Sequence, residues 1–186
     1  MTPADLRGVR EADVYVGDQC VARLARSAGG NVRFDYLDER HDGAGRAGSV
    51  SWTLPRSRRD PIFATGAKVP AFFAGLLPEG VRLEVAVAAT AAPGTDQMTV
   101  LMAVGADTIG DVRVAPTGID LQSASPMFDP SRDRDFGVVG TRLEESLAAD
   151  PVALPGVQPK VTATTSSPTT PGISAPGILK LSNPRF

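Results

Sequence analysis

Asp13-Val14-Tyr15-Val16-Gly17-Asp18-Gln19-Cys20-Val21-Ala22-Arg23-Leu24 is a pair of β-rich runs flanking a turn that begins at Gly17-Asp18. Branched and aromatic residues on both sides of a Gly-Asp pair predict a β-hairpin. Outward from it the pattern continues. Gly29-Gly30-Asn31 marks a second turn, and Val32-Arg33-Phe34-Asp35-Tyr36 alternates apolar and polar, as a strand with one wet face should. Asp38 to Gly48 is a polar, glycine-rich loop, and Ser49-Val50-Ser51-Trp52-Thr53-Leu54 reads as a further strand ended by Pro55. The opening of the chain is therefore expected to be an antiparallel meander. Residues 1–11 are charged and unpatterned, which predicts a loose tail.

Helical spacing takes over in the middle. Val69 to Leu77 reads as a short helix with Pro70 in its first turn, where the missing N–H does no harm. Pro78-Glu79-Gly80 interrupts it, and Val81 to Thr90 resumes with Leu83, Ala86 and Val87 on one face. Thr95 is the expected N-cap of a helix from Asp96 to Val104, with Asp96 suiting the helix dipole and Gly105 ending it. Ile109 to Val114 returns to strand. The fold class is α+β: a small antiparallel β-meander with packed helices.

Beyond that unit, residues 117–150 comprise a Ser-, Asp- and Pro-rich linker and a modest amphipathic helix at 138–149. Residues 151–186 begin a new unit: a turn, a short strand, a Thr/Ser/Pro-rich loop from Thr162 to Pro176, and a strand from Gly177 to Leu181.

Composition narrows the functional classes. The formal net charge is -2 with both signs interspersed, which argues against a dedicated nucleic-acid or membrane-surface binder. The basic run Arg56-Ser57-Arg58-Arg59 reads as a solvated loop. A single cysteine, Cys20, excludes an intrachain disulfide and reads as a small buried apolar residue. No basic region followed by an apolar run opens the chain, and Val81 to Ala92 is broken by Arg82 and Glu84 and is too short to span a bilayer. A reducing, cytoplasmic setting is the expectation.

The chemistry sits at the end. Gly156-Val157-Gln158-Pro159-Lys160 reads as a glycine turn between strands, and Ile178-Leu179-Lys180-Leu181 places a lysine within an apolar strand. Backbone N–H groups of such a turn can face an anion, and a lysine on a neighbouring strand can neutralise it; kinases hold nucleotide phosphates with these parts. Each part alone is common: neither the Walker spacing nor G-x-G-x-x-G is present. A lysine on a strand is ordinarily a surface residue that reaches for solvent.

Several stretches together resemble the HipA family of bacterial toxin kinases. They are Val14-Tyr15-Val16 with its hairpin, Phe72-Phe73-Ala74-Gly75-Leu76-Leu77-Pro78-Glu79-Gly80, Ala103-Val104-Gly105-Ala106-Asp107-Thr108-Ile109-Gly110, Gly156 to Lys160, and Leu179-Lys180-Leu181-Ser182-Asn183-Pro184-Arg185-Phe186. The resemblance implies an N-terminal α+β subdomain at 12–116, then the first strands of a kinase-like N-lobe at 151–186. For a complete member it implies ATP-dependent serine/threonine protein kinase activity with ATP and Mg as cofactors. Gly156, Val157, Gln158 and Lys160 would then lie in the nucleotide-covering loop, and Lys180 would contact the ATP phosphates. It also implies a HipB-like helix-turn-helix antitoxin as partner, DNA reached only through that antitoxin, and a protein substrate such as an aminoacyl-tRNA synthetase. It implies no membrane partner.

The chain departs from the family pattern in three places. Ala153-Leu154-Pro155 stand where family members commonly carry a serine, Val161 to Pro176 holds more Thr, Ser and Pro than a clean strand, and no catalytic aspartate or metal ligand follows Lys180 within the 186 residues. An N-terminal piece of a kinase, inactive alone, is the expectation. The alternative is a stand-alone interaction or regulatory module that binds such a kinase or its antitoxin, with Phe72, Phe73, Leu76 and Leu77 as a docking face; burial preference assigns these four to a core instead.

No other constellation carries chemistry. Asp135-Phe136-Gly137 spells a magnesium-binding triplet but precedes the glycine turn, the reverse of the kinase order, and reads as a polar lead into the following helix. His41 is the sole histidine, without a metal-spaced partner or a G-x-S-x-G serine. Phe72, Phe73 and Trp52 are expected in the core.

Overall fold

A computed structural model describes residues 1–37, 48–57, 60–108, 110–119 and 121, together with four two-residue strands at 160–161, 169–170, 173–174 and 179–180. The hairpin forms as the sequence predicts. Strand β1 (Glu11–Val16) pairs antiparallel with β2 (Gln19–Arg26), and the two-residue turn between them places Gly17 at φ 58. Positive φ at the first central residue is what the right-handed twist of a tight hairpin demands, and glycine meets it without a Cβ penalty. Between Val14 and Tyr15 the register slips by one, leaving Val21 as an extra residue on β2. That bulge is why Val21 and Ala22, adjacent in sequence, are both fully buried: it resets the alternation of the strand.

Strand β3 (Val32–Tyr36) continues the meander, β4 (Ile62–Ala64) closes one edge, and β5 (Val112–Pro116) returns after the helices to pair with β1. The sheet order is β4-β3-β2-β1-β5, antiparallel throughout. One face carries Ala12, Val14, Leu24, Phe34 and Val114 into a single core with Phe73, Met98 and Leu101. The helices supplying the cover are α1 (Ala71–Ala74), α2 (Val81–Thr90) and α3 (Gln97–Val104). The α+β class and the antiparallel meander stand as read.

Three local expectations are corrected. Residues 1–11 do not make an unstructured tail: Pro3–Gly8 forms a 3-10 helix packed against α2 and α3, with Leu6 buried and the Thr2 N–H donating to Asp5 Oδ2 at 2.7 Å. That bond holds the Asp5 carboxyl below its ordinary value. Residues 49–54 are a turn rather than a strand. The Leu54 N–H donates to the Ser51 carbonyl at 3.1 Å and to Ser51 Oγ at 3.1 Å, and the chain reverses. Val50 and Leu54 bury while Trp52 stands 98% exposed at the tip, so Trp52 is not a core residue. Third, the cap of α3 is Asp96, one residue later than Thr95, with its Oδ1 accepting from the Thr99 N–H at 3.2 Å.

The turn is tied to the sheet by Tyr36. Its hydroxyl donates to the Leu54 carbonyl and accepts from the Val50 N–H at 2.8 Å. Burial pushes the Tyr36 phenol up, against the opposing pull of the Val50 hydrogen bond and the Arg56 charge; the Arg56 guanidinium lies 5.6 Å from the ring centre. A phenol whose folded value is raised stabilises the fold below its unfolded value, near 10, and loses that contribution as pH rises through the folded value. An absorbance titration is therefore expected to show a tyrosine ionising above about 10 that disappears in Tyr36→Phe. A Tyr36→Phe protein that still shows that late step would assign it elsewhere.

Candidate functional site

Within residues 12–116, the stretches that carry the family resemblance do packing work. Phe73 is fully buried and Leu77 nearly so, while Phe72 and Leu76 are half-buried and pack against the same cluster, so all four contribute to the core. Gly80 precedes α2 at φ 58, ψ -136, which L side chains avoid. Thr108 donates through Oγ1 to the Val112 carbonyl, fixing the approach to β5. Gly105 ends α3 against β5: its carbonyl accepts from the Val114 N–H at 2.7 Å. A Cβ there would sit 2.6 Å from the Leu101 carbonyl oxygen and 2.7 Å from that of Val114. Both obstacles are backbone and cannot swing aside, so Gly105→Ala is expected to cost about 2–3 kcal/mol, read as a lower urea midpoint. An unchanged midpoint would mean that helix and strand separate freely at this point.

The polar groups are arranged as ties. On the outer face of the sheet Arg23 Nε donates to Asp13 Oδ1 at 2.9 Å and Nη1 to Glu11 Oε2 at 3.1 Å. Burial lowers the Arg23 guanidinium, but the Asp13 hydrogen bond and the charges of Asp13 and Glu11 outweigh it and leave it raised. Asp13 also accepts from Thr117 Oγ1 at 3.0 Å, so strands β1, β2 and the exit of β5 share one carboxylate. Asp13 and Arg23 are direct cross-strand partners, a pair readable from the hairpin register. Among the described residues no group of His, Cys, Asp and Glu could hold a metal ion. Cys20 is half-buried rather than buried.

The expected phosphate site is described only through its strands. Lys160–Val161 (β6) pairs antiparallel with Leu179–Lys180 (β9), with Lys160 opposite Lys180 and Val161 opposite Leu179. Between them Thr169–Thr170 (β7) pairs with Ile173–Ser174 (β8), within a stretch read from sequence as loop. The signal for that hairpin was present: Pro171-Gly172 between the two is turn chemistry. Gly156, Val157 and Gln158 lie outside the described residues, as do His41, Arg58, Arg59, the amphipathic stretch 138–149 and Asp135-Phe136-Gly137.

Residues 12–115 match the family model of the HipA N-terminal domain. That is more than half of the chain, and the protein belongs to the HipA family through this domain. No curated protein matches the sequence. No helix among the described residues is long and apolar enough to cross a membrane.

Proposed function

We propose that this chain is the N-terminal part of a HipA-like serine/threonine kinase of a toxin–antitoxin pair, cytoplasmic, and that its last segment opens the ATP site. The HipA N-terminal domain at 12–115, followed in the same chain by the Gly156–Lys160 turn sequence and a lysine strand, is the observation that carries this reading. The backbone register supports it. The strand that follows the Gly156–Pro159 sequence, β6, has the lysine-bearing strand β9 as its ladder neighbour. A phosphate-covering loop and a strand lysine must lie side by side to act on one nucleotide. In this proposal Gly156, Val157 and Gln158 would cover the phosphates through backbone N–H groups and Lys160 and Lys180 would balance their charge, while Mg, when bound with the nucleotide, would supply further positive charge. The partners proposed are a helix-turn-helix antitoxin and a protein hydroxyl substrate, such as that of an aminoacyl-tRNA synthetase.

The 186-residue polypeptide is not expected to transfer phosphate. Most of the rate in phosphoryl transfer comes from clamped metal and a positioned base, and the sole histidine of these 186 residues, His41, stands far ahead of Gly156, so these residues contain no H-x-D segment after the Gly156–Lys160 sequence. Hydrogen exchange at about 5 mM Mg·ATP, above the usual range of KM values, tests the site. Slowed exchange confined to 156–161 and 178–181, and lost in Lys180→Ala, is the expected result. Exchange in those segments that ignores Mg·ATP would overturn the assignment.

A further inference from the structure

We draw no further inference here: the strongest candidate, the turn at residues 51–54 that holds Trp52 fully out in solvent beside the half-buried Arg56, carries nothing because no feature of the structure shows what covers it.

Discussion

Phe73→Ala is expected to remove about 3–5 kcal/mol, the range for truncating a fully buried aromatic side chain. Against the roughly 5–15 kcal/mol that holds a typical domain, this is most of the stability. The site explains why the loss falls at the upper end. Phe73 is fully buried, and its ring centre lies 5.4 Å from that of Phe34 and 5.2 Å from that of Phe72. Phe34 in turn meets Tyr36 edge-on at 5.1 Å. The four rings form a continuous chain from the sheet to α1. That helix spans four residues, far too few to persist on backbone hydrogen bonds alone. Its position therefore depends on Phe73 filling the space over Phe34, and the emptied volume cannot be closed by a shift of α1 without breaking the neighbouring ring contacts. Urea unfolding is expected to show a midpoint lower by about 2 M, given slopes of roughly 1–3 kcal/mol/M. Phe73→Leu, which keeps most of the volume, is expected to lose about 1–1.5 kcal/mol. Equal losses for the two variants would show that the ring contacts, and not the filled volume, account for the whole effect.

Much of this arrangement was legible in the residue pattern, and the failures share a cause. Strands at 32–36 and the helix Val81–Thr90 follow directly from periods of two and of 3.6. The segment 49–54 misleads because Val50, Trp52 and Leu54 alternate as a strand face would. The chain instead turns between Val50 and Leu54, so two of the three bury and the third cannot. The Ser51 hydroxyl, whose Oγ accepts from Leu54, was the available signal for a turn. Strand Ile62–Ala64 is too short for any alternation to register, and it forms because Phe34 and Val32 offer it an edge. Leu6 lies in a charged stretch without a periodic apolar pattern, and its burial depends on α2 and α3, more than seventy residues away. At the proposed phosphate site, sequence supplied the residue types and the ladder supplied one further fact, that Lys160 and Lys180 are register partners.

The long-range tie that no local pattern announces is Arg26 with Asp96, seventy positions apart. Arg26 Nη1 donates to Asp96 Oδ2 at 3.1 Å and Nη2 to Asp96 Oδ1 at 2.6 Å, with a third bond from Nη2 to Thr99 Oγ1 at 3.0 Å. Thr99 closes the network, donating through its N–H to Oδ1 and through its hydroxyl to Oδ2. The side chains are only 15% and 13% exposed, so water does little to screen the pair. Asp96 thus caps α3 and fastens it to the last residue of β2. Asp96→Ala is expected to cost about 3 kcal/mol, of which about 1 is the lost cap and the rest a guanidinium left without its counter-charge. That guanidinium already holds a buried Nε without a hydrogen-bond partner, so it has little reserve. Asp96→Asn keeps the cap and is expected to lose only the charge component, about 2 kcal/mol. Replacing both partners, Arg26→Met with Asp96→Asn, should be less damaging than the sum of the single changes, because no charge is then stranded in the interior. Chemical denaturation of the four proteins reads the coupling directly. Single losses that simply add would mean that the two groups act independently, and that α3 is held to the sheet by its apolar face alone.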